Sequence, residues 1–185
     1  MKKMTLVIVL LTLCSTLFAS EDETTLVFMR SSVVGAAIKA TIYEITEDET
    51  IFIGIMKNKT KINYVTSAGK HTFMVVSEAA DFMEADLAAG KTYYAMVTPR
   101  TGAWKARFSL IPVRNGGATE FSTDSKKFEK WKSKTKLVTT DDSARAWYEA
   151  HKDSVLEKQT KYWQKWQQKS AAELSERTLH ITDGT

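Results

Sequence analysis

From Ser67 to Val97 the chain reads SAGKHTFMVVSEAADFMEADLAAGKTYYAMV. One phrase occurs twice in it: Ala68-Gly69-Lys70 and Ala89-Gly90-Lys91 each open a run of aromatic, β-branched and methionine residues. In both, a glycine able to take positive φ ends one segment and a strand is expected directly after it. Between them Met83, Ala85 and Leu87 alternate with Glu84 and Asp86, the period of two that marks a strand with one solvated face. The stretch predicts a three-strand meander on which the rest of the chain builds.

Working towards the N-terminus, similar segments recur. Lys61 to Val65 forms a short strand pattern, and Ile51, Ile53 and Ile55 alternate with Phe52, Gly54 and Met56. Gly54 is the small residue inside that run, a position for a bulge or a close backbone approach. From Gly35, Ala36, Ile38, Ala40 and Ile42 share one face of an expected strand, and residues 26–30 (LVFMR) form the first. Towards the C-terminus, Trp104, Ala106, Phe108 and Leu110 alternate with Lys105, Arg107 and Ser109, and Pro112 closes that strand. About eight short strands at sandwich spacing, with no helical pattern among them, predict a mainly β fold. The expectation is an antiparallel immunoglobulin-like β-sandwich over residues 20–117.

After Asn115-Gly116-Gly117 the composition shifts to lysine and helix formers, and residues 118–185 are expected to form a predominantly helical C-terminal extension. Asp124 is placed to cap a short helix carrying Phe128 and Trp131. Thr139 and Asp142 have capping-box spacing for a long helix running to about Glu176. On it Ala144, Tyr148, His151, Val155, Tyr162 and Trp166 recur at three- to four-residue intervals, with Trp147 and Trp163 beside them. Leu179 and Ile181 flank His180 in a short extended tail.

The first nineteen residues carry the most direct functional statement. Lys2-Lys3 precedes an apolar run from Met4 to Leu13, and Glu21-Asp22-Glu23 follows a small and polar stretch. This is the pattern of an export signal peptide over residues 1–19, too short for a lasting membrane span. Cleavage is expected after Ala19. The alternative is lipid attachment at Cys14, the only cysteine: Leu11 to Cys14 resembles a bacterial lipobox, with Leu13 where that motif takes glycine, alanine or serine. The expected location is the periplasm, or the envelope by lipid anchor. Loss of Lys2 and Lys3 takes the formal charge from +4 to about +2, too little to argue for nucleic acid.

The phrases AGKHTF and LAAGKTYYAMV, with a strand ending in Ser77-Glu78 between them, resemble the DUF2846-like family of small exported bacterial proteins of unknown function. That family is PEGA-like or immunoglobulin-like and is often found in lipoproteins. The resemblance covers Thr25 to Val113, and the tail with Ala146-Trp147 is similar to the helical extension of some members. It implies a sandwich fold and an envelope location, and no catalytic residue transfers with it.

Motifs for chemistry are sparse. His71, His151 and His180 stand in no metal-ligand spacing, and His71 and His151 read as packed or hydrogen-bonded structural residues. Glu78, Asp81, Glu84 and Asp86 lack a calcium-loop pattern; Glu84 and Asp86 read as a solvated strand face opposite Lys105 and Arg107. Neither GxSxG, SxxK, GxGxxG nor a P-loop occurs, so no cofactor is expected. Lys126, Lys127, Lys130, Lys132, Lys134 and Lys136 read as a solvated face, or as a peripheral contact with an anionic membrane or polymer. Trp131, Trp147, Tyr162, Trp163 and Trp166 are the candidate partner-binding residues, against the simpler reading that they pack on the sandwich.

The sequence therefore predicts a non-catalytic binding or accessory module of the cell envelope, contacting a protein or polymer. A carbohydrate-binding module using Trp104, Tyr93 and Tyr94 is the alternative. An enzyme would need a site assembled from distant residues, visible as a buried carboxylate or histidine cluster in a deep cleft.

Overall fold

The computed structural model describes residues 22–100 and 107–185. The expected signal peptide and cleavage site, Cys14 and Trp104 lie outside the described residues. Eight strands fill the first part: β1 (Glu23–Arg30), β2 (Ala40–Ile45), β3 (Thr50–Met56), β4 (Thr60–Ser67), β5 (Gly69–Val76), β6 (Ala80–Leu87), β7 (Thr92–Pro99) and β8 (Phe108–Pro112). Helix α1 (Lys126–Lys134), strand β9 (Lys136–Leu137), helices α2 (Asp142–Trp166) and α3 (Ala171–Glu176), strand β10 (Thr178–Leu179) and a 3-10 turn (Ile181–Asp183) follow. Two five-stranded sheets result, ordered β8-β7-β1-β4-β9 and β10-β6-β5-β2-β3. They pack together as a sandwich.

The sheets are mixed, which corrects the antiparallel expectation. β1 pairs in parallel with β7, β4 with β9 and β6 with β10. The three segments of residues 67–97 also do not form one meander. β5 and β6 make an antiparallel hairpin in one sheet, whereas β7 crosses to the other sheet and lies beside β1. Gly90, at φ +71°, makes the turn that crosses. Period-2 patterning reports which residues share a face, but it is blind to which sheet a strand joins.

Side-chain parity builds four layers. Leu26, Phe28, Ile42, Phe73, Met83 and Tyr93 fill the space between the sheets. The outward residues Tyr43, Met74 and Phe82 are covered by Tyr148, Val155 and Trp166 of α2. On the far side Val27, Met29 and Met96 are covered by Phe128 and Trp131 of α1. β1 is thus buried on both faces, which is why its apolar run is continuous rather than alternating. Arg30 at its end is also fully buried. It donates to the carbonyls of Met56 at 3.0 Å and Gly35 at 2.7 Å and lies over the Phe108 ring at 4.2 Å.

Four local expectations change. The strand expected from Gly35 starts only at Ala40, because Gly35 takes φ +68° and its carbonyl is held by Arg30. Ser125, not Asp124, caps α1, accepting from the Phe128 amide at 3.0 Å. Asp141, not Thr139, caps α2, accepting from the Ala144 amide at 2.8 Å. The long helix stops at Trp166, and a capping box between Ser170 and Glu173 starts α3 as a separate element. Gly54 behaves as read: the register skips Ile53 opposite β2, and a Cβ at position 54 would meet the Thr140 Oγ1 at 2.6 Å.

Candidate functional site

On β2, Ala40, Ile42 and Glu44 point between the sheets, so the strand carries a carboxylate on its apolar face near the open end of the sandwich. His71 on β5 shares the inward parity of Phe73 and Val75, and Tyr64 on β4 reaches across from the other sheet. These three side chains meet. His71 Nδ1 lies 2.5 Å from Glu44 Oε1, and the Tyr64 hydroxyl donates to Glu44 Oε2. His71 Nε2 lies 2.9 Å from the Ser67 carbonyl oxygen. A carbonyl only accepts, so Nε2 carries a proton and donates.

The electrostatics agree on an ion pair. The hydrogen bond with Glu44 raises the His71 pKa above 6.5, against the opposing effect of burial. Burial pushes the Glu44 carboxyl up, but hydrogen bonds from His71 and Tyr64 outweigh it and hold the group below 4.5. Burial and then the Glu44 carboxylate push the Tyr64 phenol upward. The side chains of His71 and Glu44 are only 9% and 7% exposed, so this is a desolvated imidazolium–carboxylate pair crossing the sandwich through Tyr64. With both ring nitrogens bonded, His71 has no lone pair to offer a metal or a substrate proton. The trio is a closed clasp.

The clasp lies in the wall of a cleft of about 1020 Å³. Lys70, Glu84 and Asp86 form its charged rim, while Trp163 and His180 approach from the C-terminal region. Lys70 pairs across the hairpin with Asp86, and Thr72 with Glu84. The expected partners of these carboxylates are therefore corrected. Arg107 lies beside β8, in the other sheet, and Lys105 is outside the described residues. Among the described residues no group of three or more His, Cys, Asp or Glu side chains is placed to hold a metal ion. No helix among them is long and apolar enough to cross a membrane.

The aromatic candidates divide between the two outer layers. Trp147, Tyr162, Trp163 and Trp166 all belong to the cluster between α2 and its sheet. Trp163 and Trp166 meet the Phe82 ring at 5.0 Å and 5.8 Å. Trp131 is on the opposite side of the sandwich, stacked on Phe121 at 5.6 Å. His151 is exposed rather than on the buried stripe, stacked on Trp147 at 4.3 Å. Tyr93 is fully buried and Tyr94 packs edge-on against Phe128, so neither forms part of an open platform.

Sequence reading passed over Glu44. The signal was present, since position 44 continues the parity of Ala40 and Ile42, and a charged residue on that face must find a partner. Which partner it finds depends on β4 and β5 being in different sheets, and spacing does not encode that. No protein-family model, curated protein or solved structure matches this chain.

Proposed function

We propose that this chain is a non-catalytic binding or accessory module of the bacterial cell envelope, exported to the periplasm and presenting the clasp-walled cleft to a protein or polymer partner. The observation that carries this reading is that both His71 ring nitrogens, the Tyr64 O–H and both Glu44 oxygens are engaged within the trio and its Ser67 carbonyl. A catalytic cluster needs a group free to exchange a proton with substrate, whereas a saturated cluster holds a cleft in one shape for recognition. Both outer sheet faces are already occupied by α1 and α2, which favours the cleft over those faces as the contact surface. In this reading the chain is a DUF2846-like member with an immunoglobulin-like sandwich, and the exposed lysines of α1 lie near anionic envelope surfaces.

Photo-crosslinking in cells from Lys70, on the cleft rim, tests the proposal. The expected result is capture of a specific envelope component, abolished by reversing the rim charges with Glu84→Lys and Asp86→Lys. A background equal to that from Lys130 on α1 would rule the cleft out. The carbohydrate reading keeps one supporting observation, the half-buried Trp163 at the cleft wall, where an indole can stack on a sugar ring. Glycan capture at Lys70, lost in Trp163→Ala, would favour it over a protein partner.

A further inference from the structure

A second recess lies away from the cleft, where the end of β7 and the start of β8 meet the C-terminal end of α2. Arg100 and Arg107 face each other there, joined by an Arg100 amide to Arg107 carbonyl bond of 2.8 Å. Lys165 and Lys169 line the recess from α2 and the residues after it. The single carboxylate in the lining is Asp81, and its charge is already engaged. One oxygen accepts from Arg177 and the other lies 3.5 Å from Arg100 Nη2. Lys169 approaches the exposed Glu173 at 3.3 Å, leaving Arg107 and Lys165 with no carboxylate partner among the described residues.

Two donors at this place are unpartnered among the described residues. Among the described residues, Trp166 is 3% exposed and its inaccessible Nε1 has no hydrogen-bond acceptor, and the inaccessible Nε of Arg107 has none either. Buried N–H groups without acceptors are costly and uncommon in folded proteins. Both donors belong to side chains that line a volume of about 230 Å³ with an excess of cations. Phe82, Tyr162 and the Trp166 ring supply its apolar walls.

We propose that this recess is an anion-binding site for a phosphoryl group, held by Arg100, Arg107 and Lys165 beside the Trp166 indole. Guanidinium forks match the spacing of phosphate oxygens, and a dianion offsets several cations where a lone carboxylate would leave most of them opposed. The aromatic walls suit an organic substituent on that phosphate. The group has two sources, a free phosphate or phosphate monoester and the head group of a phospholipid. The site shares no residue with the cleft and does not depend on the binding-module reading.

The test follows the Trp166 indole N–H by ¹H–¹⁵N NMR, its resonance assigned by its loss in Trp166→Phe. The full chain is titrated with inorganic phosphate, with glycerol 3-phosphate and with monomeric dihexanoyl phosphatidylglycerol, each against sodium chloride of equal ionic strength. A saturable shift of the indole resonance is expected, with affinity falling about tenfold or more in Arg100→Gln/Arg107→Gln. The exposed position of Lys165 allows a second variant, Lys165→Gln, that leaves the packing intact and weakens binding by a smaller factor. Tighter binding of the lipid than of phosphate would identify a head group as the source, and the reverse order a soluble phosphate. No saturable shift with any of the three probes at about 10 mM, or a shift unchanged in both variants, would overturn the proposal.

Discussion

Glu44 is 5% exposed and sits among residues whose purpose is to exclude water. Its place there depends on His71 and Tyr64, and that dependence has a pH signature. The His71 pKa is raised on folding, so its contribution to stability is complete below about 6.5 and fades as pH climbs through the raised native value. The Glu44 pKa is lowered, so its contribution is complete above about 4.5 and fades as pH falls through the lowered native value. Chemical denaturation across pH is therefore expected to show a plateau with an alkaline decline beginning near 6.5. In His71→Gln that decline should flatten, whereas an unchanged alkaline limb would remove the ion pair from the account. Glu44→Gln, which strands the imidazolium in a desolvated place, is expected to cost about 3 kcal/mol.

At the level of elements, α2 decides how the second sheet is covered. Tyr148 stacks on Phe52 at 4.9 Å, tilts against Tyr43 at 5.6 Å and donates to the Thr50 carbonyl at 3.1 Å. Tyr148→Ala removes all of these together and is expected to lower unfolding stability by about 3–5 kcal/mol, read as a shift in denaturation midpoint without loss of the inter-sheet core. A change within about 0.5 kcal/mol would mean that the helix is not docked in solution. The docking was partly legible from sequence, because Tyr148, Val155 and Trp166 fall on one helical stripe. The helix break at Gln167 was not, since residues 167–176 are all helix-compatible and only the Ser170–Glu173 box marks the restart. Strand existence was legible at every one of β1 to β8, because short β-rich apolar runs, alternation and turn glycines are local signals. Pairing partners were not, because β1 meets β7 through a parallel contact that no hairpin turn announces. The closed trio at Glu44 belongs to the same class of information, assembled from β2, β4 and β5 across two sheets.

For the molecule as a whole, the C-terminal region completes both sheets rather than trailing from them. β9 extends one and β10 the other. Arg114 fastens the second of these, donating to the Thr178 carbonyl at 2.6 Å, to Asp183 at 2.7 Å and to the Ser175 carbonyl at 3.1 Å. Arg114→Ala is expected to cost about 2 kcal/mol and to raise amide exchange over residues 177–185 more than over β5. Uniform exchange across both would refute the fastening role. Beyond that, Thr185 exchanges two backbone hydrogen bonds of 3.0 Å with Thr92, and Gly184 lies so close to the Tyr93 ring that a Cβ there would meet it at 2.6 Å. A chain emerging residue by residue makes β7 long before Thr185 exists to meet it. The seam beside β7 thus closes only when that strand meets a segment 93 residues further along the chain, a long-range contact of the kind that forms late and slowly in folding.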